Sequence, residues 1–218
     1  MMQINVSSNI QEVTRGLSAV QRKQIPFAAS QALNDVAKKA AMRDLRDKAN
    51  RTFQGGATRF TRSGFLYRRS NKKNLTAEVF IEPSRAKYMR FQIDGGTRLP
   101  ERRKIMTPTT NTRLNKFGNI PRGTYSRLIN DRKKYFSGIP NGLSGNSNLG
   151  IWERYGRTKR FPGGKRIRMV AKYIDRAEYR ALFPFEETTQ GVVFARQGGF
   201  ANRFNKRLIA AIRSAKAR

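Results

Sequence analysis

Three residues in the middle of the sequence have side chains that could do chemistry together. Asp94 and Glu101 are carboxylates, and Lys104 follows Glu101 closely. In metal-dependent nucleases, carboxylates hold Mg²⁺ and a lysine polarises the attacking water. The spacing here is not the usual one, and no predicted strand carries the Glu–Lys pair. The preferred interpretation is therefore a turn with surface charges, and a nuclease is kept as an alternative.

The composition excludes several other kinds of active site. The chain has no Cys and no His, which excludes disulfides, zinc sites built on these ligands, thiol nucleophiles and imidazole bases. The paired glycines lack the Gly-Lys-Ser/Thr ending of a phosphate-binding loop and are typical of turns and helix ends. We therefore expect neither an enzyme nor a cofactor.

Charge is the dominant feature of the sequence. Its 46 Lys and Arg oppose 14 Asp and Glu, which gives a formal net charge of +32 over 218 residues. Because a compact monomer with this charge repels itself, we expect a polyanionic partner. Nucleic acid fits, since phosphates bound by Lys and Arg release counterions. An anionic membrane is the other candidate, but no apolar run is long enough to span a bilayer and residues 1–10 lack the pattern of a secretory signal.

The basic residues are spread over three zones, residues 98–134, residues 154–172 and the C-terminal helix. Spread cations suit contact with phosphates without base reading, and no helix-turn-helix, zinc-finger or single-stranded RNA-binding signature is present. The candidate nucleic-acid contacts are Arg102, Arg103, Lys104, Arg132, Lys133, Lys134, Arg157, Lys159, Arg160, Lys165, Arg166 and Arg168.

Aromatic residues are interleaved with these cations. They are Tyr125, Tyr135, Phe136, Tyr155 and Phe161. Stacking on single-stranded bases would use such residues. We favour the interpretation that they anchor loops to the core.

The elements that must position these residues can be predicted from periodicity. Pro26 is expected to end a first helix and begin a second, over residues 27–49, whose apolar stripe opposes a basic face. Strands are predicted over residues 65–69, 75–81, 88–93, 149–155 and 167–174, with a polar turn at 71–74 and a basic turn at 156–165. Residues 179–185 are predicted as a short helix or turn, and an amphipathic helix begins at Phe200.

This order predicts an α+β fold with N-terminal helices, a hairpin-rich antiparallel or mixed sheet and a C-terminal amphipathic helix. We expect a single domain over residues 1–218, in which residues 98–150 form a basic, loop-rich insertion. Such a segment alone in water should be a mobile loop. We therefore expect neighbours in an assembly to hold it.

Several segments resemble lambdoid phage minor tail protein Z, a tail-completion family. Residues 25–37 (IPFAASQALNDVA) resemble its Ala-rich N-terminal helix, and residues 151–157 (IWERYGR) resemble its Gly-x-Trp-x-Arg strand and turn. Residues 182–208 resemble its Pro-containing turn and long amphipathic helix. Residues 88–97 are similar to a strand-then-Gly-Thr element of related phage neck proteins. The insertion at 98–150 does not match.

The resemblance implies a structural virion protein at the head–tail junction or upper tail, assembled in the host cytoplasm. It implies a homo-oligomeric ring, usually six-fold, that joins other phage neck and tail proteins and surrounds the path of double-stranded DNA. The residues alone leave a second hypothesis open, a free nucleic-acid-binding protein that does not read sequence.

Overall fold

The computed structural model describes residues 3–6, 19–101, 104–156 and 166–216. Within these ranges the chain combines helices with antiparallel sheets, which confirms the predicted α+β class. Its contacts divide it into two compact units, Met1–Asp94 with Ala181–Arg218, and Gly95–Arg180. The second unit interrupts the first in sequence, and its bounds are wider than those of the predicted insertion.

The described elements are seven α-helices and nine strands. The helices are α1 (Ala19–Lys39), α2 (Leu45–Thr52), α3 (Arg59–Arg62), α4 (Pro83–Ile93), α5 (Thr124–Asn130), α6 (Phe185–Val193) and α7 (Phe200–Lys216). The strands are β1 (Gln3–Val6), β2 (Phe65–Arg68), β3 (Ala77–Ile81), β4 (Gly96–Arg98), β5 (Ile105–Pro108), β6 (Tyr135–Gly138), β7 (Gly150–Tyr155), β8 (Arg166–Ile174) and β9 (Ala177–Tyr179).

The first unit packs helices against a three-stranded antiparallel sheet in the order β1–β3–β2. Alternate side chains of a strand point to opposite faces, and Ala77, Val79 and Ile81 of β3 are all buried. The predicted polar turn before β3 is confirmed, because the Asn71 N–H donates to the Asn74 carbonyl at 2.8 Å.

The helix predicted over residues 27–49 is confirmed, with a π-helical turn (Ala40–Asp44) between α1 and α2. A π turn accommodates an extra residue in the helical repeat. The successive residues Ala40 and Ala41 are both fully buried, between Leu33 and Leu45, which face the same core.

Pro26 lies inside α1, so the prediction that it ends a helix is wrong. An internal proline removes one backbone hydrogen bond and costs about 3 kcal/mol. The following face, with Ala28, Ala29 and Leu33 fully buried, offsets that cost through apolar burial.

The predicted strand at residues 88–93 is also wrong, because these residues belong to α4. Pro83 stands in the first turn of α4, where its fixed φ favours helix and its missing N–H is not needed. Met89 then turns into the core.

The C-terminal amphipathic helix is confirmed as α7. It contacts α1, and both Nε and Nη2 of Arg207 donate to Oδ2 of Asp35, at 3.1 and 2.8 Å. The short helix or turn predicted over residues 179–185 is wrong. Strand β9 ends at Tyr179 and α6 begins at Phe185, after Pro184.

The second unit is built on a four-stranded antiparallel sheet in the order β5–β8–β7–β6, with β4 and β9 paired separately. The two strands predicted at 149–155 and 167–174 are confirmed as β7 and β8; most of the turn between them lies outside the described residues. Helix α5 covers the sheet through Leu128, which packs with Ile151, Val170 and Ala171.

The segment 98–150 is more regular than the predicted loop-rich insertion. It supplies both edge strands of this sheet, since β5 pairs with β8 and β6 pairs with β7. Thr side chains add to the first edge: Oγ1 of Thr109 donates to the Met169 carbonyl at 2.7 Å, and Oγ1 of Thr112 donates to the Val170 carbonyl. These bonds to β8 order a stretch that composition alone assigns to loop.

Candidate nucleic-acid interface

Six of the candidate phosphate contacts lie within the described residues, all in the unit Gly95–Arg180. They are Lys104, Arg132, Lys133, Lys134, Arg166 and Arg168. The other candidates lie outside the described residues and are Arg102, Arg103, Arg157, Lys159, Arg160 and Lys165.

The sheet brings Lys134 and Arg168 together around one acid. Glu153 on β7 stands opposite Arg168 on β8 and opposite Tyr135 on β6. Its carboxylate accepts from Nε of Arg168 at 2.6 Å and lies 3.2 Å from Nζ of Lys134. The Glu153 side chain is only 7% exposed, whereas the two cations reach solvent. The cluster therefore has a buried anion beneath two surface cations and a net charge of +1.

Electrostatics keep this cluster ionised. Burial alone would raise the pKa of Glu153, but hydrogen bonds from Arg168 and Lys134 outweigh it and hold the pKa below its ordinary value of 4.5. The hydrogen bond to Glu153 raises the pKa of Lys134, and the same contact raises the pKa of Arg168. All three groups are charged at neutral pH.

Lys104 and Lys133 differ in their partners. Nζ of Lys104 lies 2.8 Å from Oδ1 of Asp175, so the lysine that the nuclease hypothesis assigns to a water forms an ion pair. Lys133, Arg132 and Arg166 are exposed, and within the described part of the chain none of them forms an ion pair. These three candidates therefore keep their charge available to a partner.

Sequence reasoning missed Arg154, which the sheet places beside the β6 edge. Its guanidinium carbon lies 4.5 Å from the centre of the Phe136 ring. Its Nη1 donates to the carbonyls of Arg132 and Tyr135, at 3.1 and 3.2 Å. Because these contacts depend on the register of β6 against β7, no spacing in the sequence reveals them.

The aromatic residues divide into two groups. Tyr125 and Tyr135 are half-buried and pack on the Leu128 cluster, which confirms the predicted anchoring role for these two. Tyr155 is 37% exposed and lies under Arg168, whose guanidinium carbon is 4.9 Å from the ring centre. Phe161 lies outside the described residues.

The basic C-terminal zone in the first unit is partly neutralised. Arg207 pairs with Asp35, and Nε of Arg203 donates to the Gly198 carbonyl at 2.7 Å. Lys206 and Arg213 are exposed and form no ion pair among the described residues. This zone therefore adds unpaired charge to the surface of the first unit.

Ion pairing over the whole described chain is sparse. Seven Lys and Arg side chains pair with an acid there, and Arg68 with Glu78 and Arg85 with Glu82 are two of these pairs. The sequence carries 46 Lys and Arg. Most of the described positive charge is therefore not neutralised within the fold.

The described residues offer neither a metal site nor a membrane-spanning helix. No group of three or more acids, His or Cys is arranged to hold a metal ion there. No helix in that part of the chain is long and apolar enough to cross a membrane.

The fold and the surface together define a strongly basic α+β protein whose cations are spread over helices, strands and turns. Comparison of the chain with protein-family models, curated proteins and solved structures finds no match.

Proposed function

We propose that this protein is a structural, non-enzymatic subunit that binds double-stranded DNA through its phosphates without reading base sequence. The observation that carries the proposal is the unneutralised positive surface: a net charge of +32 with seven cations ion-paired in the described chain. A polyanion offsets such self-repulsion and contributes counterion release.

The arrangement of the cations supports backbone contact rather than base reading. Reading the major groove uses several side chains presented together by one helix or ribbon. Here Lys133 lies in a turn, Arg166 at the start of β8 and Lys172 near the end of β8. Charges spread in this way suit phosphates, which look alike at every base pair.

We place this subunit in a tailed-phage virion, as a ring at the head–tail junction that contacts other neck and tail proteins. The resemblance of residues 25–37 and 182–208 to the tail-completion family supports this setting. Exposed apolar side chains support lateral contacts, because Leu182, Phe194 and Ile209 are 58%, 80% and 51% exposed. Closed rings are built from such repeated contacts, and DNA in the lumen would offset the repulsion between basic subunits.

Duplex binding at several salt concentrations tests the DNA contact. Two duplexes of unrelated sequence should bind equally well, and affinity should fall steeply as salt rises. Lys133→Gln should lower the slope of log K against log salt by about one unit if Lys133 touches a phosphate. Arg68→Gln is the matched control, because it removes a cation already paired with Glu78.

The control should change the slope less than Lys133→Gln does. A strong preference for one duplex sequence, or binding that does not depend on salt, would overturn the proposal.

A further inference from the structure

The second unit contains a cavity beside its edge strand β6, and binding of phosphates by surface cations does not require this cavity. Its volume is about 350 Å³, and it lies between α5 and the edge strand. The apolar walls are Leu128, Ile129, Tyr135, Phe136 and Ile151, and the polar groups are Arg132, Ser137 and Arg154. None of these described lining residues is acidic.

We infer that this cavity takes one unpaired nucleotide of a nucleic-acid strand, with the base against the aromatic wall and the phosphate on Arg132 and Arg154. The inference rests on the proposed function and specifies the form of nucleic acid that binds: a strand end or a single-stranded stretch. The shared chemistry is that of a nucleoside phosphate, which a free mononucleotide also has.

Charge complementarity selects an anion. Arg154 is held in place by the contact of its guanidinium with the Phe136 ring and by two backbone carbonyls that accept hydrogen bonds from its Nη1. Within the described residues it has no carboxylate partner, so Nε and Nη2 keep donors for a ligand. An arginine fixed before binding loses little freedom when it takes up a phosphate.

The neighbouring acid does not cancel this charge. Glu153 precedes Arg154 on β7, but its carboxylate is occupied by Arg168 and Lys134, at 2.6 and 3.2 Å. Glu153 does not line the cavity. Its charge is therefore taken up by two other cations and not by the arginines at the cavity.

The walls select a planar ring. Tyr135 and Phe136 both line the cavity, and as successive residues of β6 they point to opposite faces of the sheet. One of these rings can therefore stack on a base, and the stacking accepts any base because every base has a π face. The volume lies at the small end of ligand pockets, which favours one nucleotide over a longer ligand. An acidic peptide would share the charge but has no use for the aromatic wall.

The test compares a blunt duplex with the same duplex carrying a short single-stranded tail, by fluorescence anisotropy with the full chain. The wild type should bind the tailed duplex about tenfold more tightly, the effect of one stacked base. Arg154→Gln and Ile129→Trp should each abolish this preference. Lys133→Gln is the control, because Lys133 does not line the cavity; it should weaken both duplexes equally.

Ile129→Trp keeps the test valid if Arg154→Gln fails to fold. Ile129 is 37% exposed, so a larger ring there fills the cavity without removing charge or disturbing the core. Equal binding of blunt and tailed duplexes by the wild type, or a preference that survives Ile129→Trp, would overturn the inference while the proposed function stands. Failure of the proposed function would appear separately, as no salt-dependent binding of the blunt duplex.

Competition with a mononucleotide and with an acidic peptide distinguishes a nucleotide site from a site for any anion. A mononucleotide that displaces the tail but not the blunt duplex would support the nucleotide site. An acidic peptide that displaces the tail as well as the mononucleotide does would overturn the assignment to a nucleotide.

Discussion

At the scale of single residues, Glu153 determines how the candidate interface is arranged. It is one of few acids among many bases, it is buried, and it holds Lys134 and Arg168 at the surface of one sheet. Because the cations remain exposed, the acid orders them while leaving a net positive cluster. Its role is therefore structural support of the basic surface.

Replacing Glu153 with Gln should lower the free energy of unfolding by about 1–2 kcal/mol at neutral pH. This loss is smaller than that for breaking a fully buried ion pair, because Lys134 and Arg168 reach solvent. The folded-state pKa of Glu153 is lowered. Its contribution is therefore present above the unfolded value and is lost as the pH falls through the folded pKa. Urea unfolding of both proteins across this range measures the difference.

The gap in stability between wild type and Glu153→Gln should close as the pH falls below the ordinary carboxyl value of 4.5. A gap that stays constant, or widens in acid, would contradict the assignment of an ionised Glu153.

Gly150 has a steric role where β7 meets β8. A Cβ there would lie 2.2 Å from the Ala171 carbonyl oxygen, so backbone atoms must move. Gly150→Ala should lower the melting temperature. Gly191→Ala is the control: it is in helix α6 with nothing within 4 Å of the added carbon, and it should stabilise by roughly 0.5–1 kcal/mol. Equal shifts in thermal melts would contradict this account.

At the scale of elements, α1 and the turn after β2 are joined by a small polar network. The Ser70 N–H donates to Oδ1 of Asn34 at 2.8 Å, and Oγ of Ser30 donates to the Ser70 carbonyl at 3.2 Å. Ser70 is 7% exposed. These bonds fix where the sheet of the first unit lies against its longest helix.

Asn34→Ala should therefore cost about 1–3 kcal/mol, because it leaves a buried N–H without its acceptor. Asn71→Ala, in the same turn, is the matched control. Its Oδ1 accepts from two exposed N–H groups, those of Lys73 and Asn74, which water can satisfy. Chemical denaturation should give a clearly smaller loss for Asn71→Ala; a larger one would contradict the importance of the network.

The sequence predicts those elements in which local pattern and burial agree. The stripe of residues 27–49, the alternation in β3 and the amphipathic α7 all follow from their periodicity. The prediction at Pro26 fails because apolar burial outweighs a local helix breaker. The strand predicted at residues 88–93 fails because Pro83, five residues earlier, begins a helix that continues through the aromatic run. Tertiary burial is not visible in a window of neighbouring residues.

The candidate site is predictable only in part, for a related reason. Composition identifies the basic zones, and Lys133 follows directly from them. The pairing of Lys134 and Arg168 with Glu153, and the position of Arg154 beside Phe136, depend on which strands pair and in which register. These contacts join residues distant in sequence, so no spacing rule finds them.

At the scale of the whole molecule, a net charge of +32 and exposed apolar side chains such as Phe194 have to be explained together. A free basic protein uses the charge but leaves Leu182, Phe194 and Ile209 in water. A ring around DNA uses both, because apolar contacts join subunits and the polyanion offsets their repulsion.

The most direct test of this account is the mass of the purified full-length protein by light scattering, with and without double-stranded DNA, at low and moderate salt. We expect a discrete ring that persists as salt rises, because salt screens the repulsion between subunits but not their apolar contacts. A monomer that binds DNA with a steep salt dependence would contradict the ring and leave a free nucleic-acid-binding protein. A monomer indifferent to DNA would contradict the DNA contact as well.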